Sequence, residues 1–136
     1  ASVILPAILF LVAIFLSFST GTSWGTFAIL VPIAIAMFPG ADNMQMMIIA
    51  VSAVLSGAVC GDHVSPISDT TVMSSAGAQS NHINHVTTQM QYAAVVAVVS
   101  AVGFLLAGFV HVWWIVLGVS LILLLAVLTV LRKVAK

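Results

Sequence analysis

The run Gly61-Asp62-His63-Val64-Ser65-Pro66-Ile67-Ser68-Asp69-Thr70-Thr71 gathers two carboxyls, one imidazole and four hydroxyls. Two of the three acidic residues of the chain lie here, directly after the apolar stretch from Met44 to Cys60. A carboxylate carried into a bilayer is costly unless something compensates it, so such residues mark sites rather than surfaces. Carboxylate, hydroxyl and freed carbonyl oxygens are what a hard cation takes as ligands. A carboxyl can hold a proton instead.

In an unbroken helix Asp62 and Asp69 would share nearly one face, with Ser65 between them. Pro66 forbids that helix, because it has no N–H and its ring clashes with the carbonyl of Asp62 four residues back. Ser65, just before the proline, is steered away from helical angles. The expected result is a half-helix ending near Gly61 and another beginning near Ser68 or Asp69, with oxygens and helix dipoles opened at mid-membrane. Two plainer readings stand beside this one. Asp69 also reads as the N-cap of an ordinary helix start, and Asp62 as a protonated carboxyl hydrogen-bonded to a neighbour.

No Lys or Arg precedes residue 132, so His63 is the nearest cationic partner for either aspartate. Each carboxyl must therefore hold a cation or a proton. Burial favours the protonated form and a bound cation favours the ionised one. The two compete, and competition at a site exposed alternately to two sides suffices for antiport.

The composition requires lipid as the solvent. Hydrophobic residues make up 62% of the chain and charged residues 4%, against roughly 25% charged in a soluble domain. Three basic residues balance three acidic ones, and no charge tract is present to bind nucleic acid. The single Cys60 has no internal disulfide partner and reads as small apolar packing. The chain opens on an alanine inside an apolar stretch, without the charged start of a signal peptide. It reads as the C-terminal part of a larger transporter-sized protein, with part of the site contributed from outside residues 1–136.

The elements that must position the polar run follow from the apolar periodicity. Residues 1–38 contain two apolar arms, each shorter than the ~20 residues of a crossing helix. They are separated by Ser19-Thr20-Gly21-Thr22-Ser23-Trp24-Gly25. This predicts a re-entrant hairpin or an interrupted helix. Pro39 to Asn43 reads as a turn, with Asp42 as a helix-start charge. Residues 44–79 form the broken helix, and Met44, Met46 and Met47 fill packing gaps. Residues 86–110 and 112–131 are scaffold helices, joined to the broken helix by a loop from Gln79 to His85. Trp113-Trp114 opposite Arg132, Lys133 and Lys136 predicts a cytoplasmic C-terminus. The whole is an all-α integral membrane protein, a polytopic helical bundle with one hairpin or interrupted helix and one broken helix.

His82-x-x-His85 has the spacing of a metal-ligand pair, but beside Asn81 and Asn84 it reads better as an interfacial polar cluster. Neutral imidazoles that gain charge near pH 6.5 suit a pH sensor. His63, His82 and His85 are accordingly candidates for proton handling or pH sensing. His111 and Trp24 read as anchor and packing residues.

The strings Gly61-Asp62-x-x-Ser65-Pro66-x-Ser68-Asp69-Thr70-Thr71 and Thr22-Ser23-Trp24-Gly25-Thr26 resemble those of the NhaC-type sodium/proton antiporters. With Ala76-Gly77-Ala78 and the following loop, the resemblance covers the central two-thirds of the chain. It implies secondary active exchange of Na+ for H+ and half of an inverted-repeat architecture from the broader ion-transporter superfamily. By position it places Asp62, Ser65, Ser68, Asp69 and Thr70 in the broken helix, faced by Thr20, Thr22 and Ser23 from the hairpin tip. Na+ is expected at Asp69 and Asp62, with Asp69 the leading carboxylate. Related proteins of this kind are also proposed to exchange organic anions or amino acids, so a Na+-coupled carrier of a small organic solute is the alternative.

The expected partners are membrane lipid, Na+, H+, the N-terminal remainder of the same transporter and a second copy in a homodimer, without nucleic acid. No cofactor and no enzymatic activity are expected, and the expected location is the bacterial cytoplasmic membrane. An intramembrane aspartyl protease is disfavoured because its two aspartates must face each other across one water. Two aspartates around one proline in a single segment do not do so readily. A purely structural subunit is disfavoured by polar residues at two separate breaks.

Overall fold

The computed structural model describes residues 2–135, so Lys136 of the expected terminal charge cluster lies outside them. Six α-helices follow in order: α1 Leu5–Thr20, α2 Ser23–Met37, α3 Met44–Val64, α4 Asp69–Gly77, α5 His82–Phe109 and α6 Trp113–Val134. A short 3-10 turn, Ala41–Asn43, precedes α3, and no strand occurs among the described residues. The stretch through α3, together with α5 and α6, gives three helices long and apolar enough to cross a membrane, whereas α1 and α2 are shorter.

Helix α1 starts with Pro6 in its first turn, where the missing N–H is no loss. It ends at Gly21, whose φ of +68° is a left-handed cap, and the Gly21 N–H bonds Ser17 O at 2.8 Å. Thr22 then caps α2, its Oγ1 accepting from the Gly25 N–H at 3.3 Å. Such a tight reversal makes a hairpin, which resolves the two options left by the sequence. Leu30, Ala34 and Phe38 of the returning arm join Leu9 and Ala13 of α1 and Ala50, Val54 and Ala58 of α3 in one core.

Helices α1 and α3 run in the same direction at very close range. A Cβ added to Gly57 would meet Phe10 O, and one added to Gly61 would meet Ile14 O. Gly57-x-x-x-Gly61 is thus the small-residue face that lets two backbones approach where lipid supplies no hydrophobic drive. Helix α5 returns along α1, with the Phe10 and Phe104 rings 5.2 Å apart, and Gly108 meets Val3 O. Among the described residues, helix α6 packs on α5.

The chain break differs from the sequence expectation in two respects. Helix α3 passes Gly61 and ends at Val64, one turn later, because Gly61 serves the contact with α1 rather than a helix stop. Pro66 acts only on the residue just before it: Ser65 is extended, at φ −71° and ψ 128°, while its N–H closes on Asp62 O at 3.2 Å. Helix α3 alone is then about 31 Å long, the thickness of a hydrocarbon core. The break therefore lies at the end of a span-length helix and not at the midpoint of one. At the next junction, Asn81 Oδ1 accepts from the Asn84 N–H at 3.1 Å. This cap starts α5 at His82, so His82 and His85 lie in its first turns rather than in a loop.

Candidate functional site

Asp62 lies in the last turn of α3 and is buried, 9% exposed. The extended residues between α3 and α4 bring the chain back beneath it, and the buried Ser68 donates from Oγ to Asp62 Oδ1 at 2.6 Å. Ser68 is positioned to cap α4 but makes no side-chain cap bond; its hydroxyl is committed to the carboxyl instead. Thr70 Oγ1 lies 2.7 Å from Ser68 Oγ. Among the described residues Asp62 Oδ2 accepts no hydrogen bond, which leaves one oxygen of the carboxyl open to a further ligand.

Asp69 is placed differently. It is exposed in the first turn of α4, and its Oδ1 accepts from the Thr70 N–H at 2.8 Å. A carboxylate there is favoured by the positive end of the helix dipole. Of the two aspartates, Asp62 is the one that is buried, with a side-chain hydroxyl as its donor.

The hairpin tip meets the break, but through its backbone. Ser65 is fully buried and donates from Oγ to Phe18 O at 2.7 Å. Gly21 packs on Ile67, where an added Cβ would lie 2.9 Å from Ile67 Cγ1. Thr20 Oγ1 turns back to Leu16 O at 2.9 Å, Thr22 Oγ1 is occupied as the cap of α2, and Ser23 opens that helix. These three expected site residues are near the break without bonding to it. Ser17, which the sequence reading passed over, ties the same pair of helices by donating to Ala58 O at 2.5 Å. Its signal was a hydroxyl one turn before the break in an otherwise apolar arm.

Two backbone carbonyls at the break have side-chain partners. Pro66 O accepts from His82 Nε2 at 2.8 Å, and His63 O accepts from Thr71 Oγ1 at 3.3 Å. The Nδ1 of His82 lies 3.0 Å from Ser75 Oγ, so one imidazole joins α5 to the break and to α4. His63 and His85 face a crevice of about 140 Å³ shared with Thr70, Thr71, Ser74 and Gln89. His82 and His85 therefore point to different partners, and no three His, Cys, Asp or Glu side chains converge among the described residues. A larger groove of about 690 Å³ runs between α3, α5 and α6. Its walls are mostly apolar, and it lies away from the break.

With oxygens but no fixed cation around Asp62, the arrangement can hold an alkali cation or a proton. The model of the family described as the Na+/H+ antiporter family matches residues 2–109. A protein of Haemophilus influenzae described only as uncharacterized is 54% identical over 107 residues, 79% of this chain and 20% of that protein. The malate-2H(+)/Na(+)-lactate antiporter of Bacillus subtilis is 33% identical over 111 residues, 81% of this chain and 23% of that protein. The chain thus spans about a fifth of the length of these curated relatives. No solved structure matches it.

Proposed function

Because the chain belongs to the Na+/H+ antiporter family, we propose that it is part of a secondary active transporter exchanging Na+, or another alkali cation, for H+. The exchange is by competition at a carboxyl, and Asp62 is that carboxyl. The observation that carries this reading is the buried Asp62 held by Ser68 at 2.6 Å, with no Lys or Arg in the chain before residue 132 to neutralise it. A desolvated carboxyl without a fixed cation is neutralised by a mobile one or by a proton. The open Oδ2 of Asp62 is the oxygen left for the cation. Asp69, exposed here, is a second carboxyl available to chain outside these residues. The length of the relatives supports a site completed by such chain. Arg132 and Lys133 at the end of α6 support a cytoplasmic C-terminus in the bacterial inner membrane.

A second reading has one observation in its favour. The Bacillus subtilis relative is named for moving malate and lactate together with protons and sodium. On that reading the same carboxyl couples Na+ and H+ to a small organic anion. Proteoliposomes containing the full-length transporter decide between the two. Na+-driven H+ movement with no organic solute present supports the first reading, and an absolute requirement for an organic anion supports the second. Full exchange by Asp62→Asn refutes both.

A further inference from the structure

We propose that Ser68 and Thr70 form a proton relay between Asp62 and the open, histidine-lined crevice between α3, α4 and α5. The inference rests on the reading of Asp62 as the exchanging carboxyl and assigns the route by which its proton arrives.

The polarity of the relay follows from counting hydrogens. An ionised carboxylate only accepts, and a serine hydroxyl has one hydrogen to give. Ser68 gives it to Asp62 Oδ1 at 2.6 Å. Nothing remains for it to donate to Thr70, so the 2.7 Å contact between the two hydroxyls has Thr70 as donor. Thr70 then has only lone pairs left to offer, and it lines the crevice. Every hydrogen in the row points toward Asp62.

The crevice can supply the proton. Its volume of about 140 Å³ has room for roughly four waters at ~30 Å³ each. Gln89, one of its lining residues, has a buried Oε1 with no partner among the described residues, an acceptor suited to holding such a water. The titratable groups facing the crevice are His63 from α3 and His85 from α5, while α4 contributes only the hydroxyls of Thr70, Thr71 and Ser74. His82 is turned away to Pro66 O and Ser75, and Asp69 is outside the lining. A proton leaving an imidazolium or a protonated water binds the Thr70 oxygen. Thr70 passes its own hydrogen to Ser68, and Ser68 passes its hydrogen to Asp62. Three bonds to hydrogen break and three form, the donor loses one positive charge, and Asp62 becomes neutral. Rotation of the two hydroxyls resets the row.

The test uses the full-length transporter in proteoliposomes, with Na+-driven H+ flux and Na+-dependent thermal stabilisation measured on the same preparations. In Thr70→Val the flux is expected to fall roughly a hundredfold, as for loss of a positioned proton-transfer group, while Na+ still stabilises the protein. Thr70→Ser is expected to restore the flux. Wild-type flux in Thr70→Val, or a loss of Na+ stabilisation matching the loss of flux, overturns the relay. The second result would make Thr70 a cation ligand. Should Thr70→Val not fold, Thr70→Ala is read instead. It is expected to lose flux as Thr70→Val does while Na+ still stabilises the protein, and wild-type flux overturns the relay. Full flux in Asp62→Asn overturns the underlying exchange reading as well. Loss of flux in Asp62→Asn with wild-type flux in Thr70→Val overturns the relay alone.

Discussion

Ser68 and Asp62 are bonded across the chain break, Oγ to Oδ1 at 2.6 Å, Asp62 in the last turn of α3 and Ser68 just before α4. The serine that opens α4 spends its hydroxyl on the carboxyl that closes α3. This one bond ties the end of α3 to the start of α4 over a buried acid.

Removing it alters the balance between cation and proton. Ser68→Ala takes a donor from the ionised carboxylate, a bond worth about 1.5–3 kcal/mol. The ionised, cation-binding form loses stability relative to the protonated one. Apparent Na+ affinity at fixed pH is expected to fall at least about tenfold, read as the Na+ concentration for half-maximal H+ flux. Unchanged Na+ dependence would show that the bond does not bear on binding.

The two aspartates are expected to differ. Asp62→Asn abolishes both Na+-dependent stabilisation and exchange, because the buried oxygen pair is lost. Asp69→Asn, at an exposed position bonded only to the Thr70 N–H, retains Na+ stabilisation within a few-fold of wild type. The reverse order would make Asp69 the coordinating carboxylate, with its ligands supplied by chain outside these residues.

Close packing of α1 on α3 is testable through the glycines. Gly61→Ala drives a methyl against Ile14 O, a backbone atom that cannot rotate aside. The expected cost is about 1–3 kcal/mol, seen as a lower melting temperature in detergent. Gly77→Ala, with nothing within 4 Å of the added carbon, is the control and should melt as wild type does.

Ser65→Ala frees Phe18 O from its 2.7 Å bond at a fully buried position. An unsatisfied buried carbonyl costs about 1–3 kcal/mol. The hairpin tip is expected to loosen from the break, measured as faster amide exchange from residues 18–22. Exchange as slow as wild type would mean that Gly21 on Ile67 is enough to hold the tip.

The imidazoles supply the pH prediction. Replacing His82 and His85 with glutamine removes two imidazoles, one bonded to Pro66 O and one facing the crevice. The pH profile of transport is expected to shift. A superimposable profile would end the pH-sensing role for the pair.

Much of this protein is local and therefore readable residue by residue. Its membrane character follows from 62% hydrophobic residues with 4% charged ones. The two breaks follow from backbone chemistry confined to a few residues: Gly21 takes a left-handed angle, and Pro66 denies its neighbour helical ones. The polar strings around those breaks were sufficient to indicate the family. Partnerships across the fold were not readable, because they depend on how far apart two helix axes lie. Gly61 looked like a helix end and is instead the point where α1 touches α3. Asp69 looked like the leading carboxylate, yet the turn after Pro66 aims Ser68 at Asp62 and leaves Asp69 exposed. Thr20 and Thr22 looked like ligands and bond within their own hairpin, while Ser65 and Gly21 join tip to break. Side-chain type sets what an atom can bond. Only the packing of α1, α4 and α5 around the end of α3 decides which atom it meets.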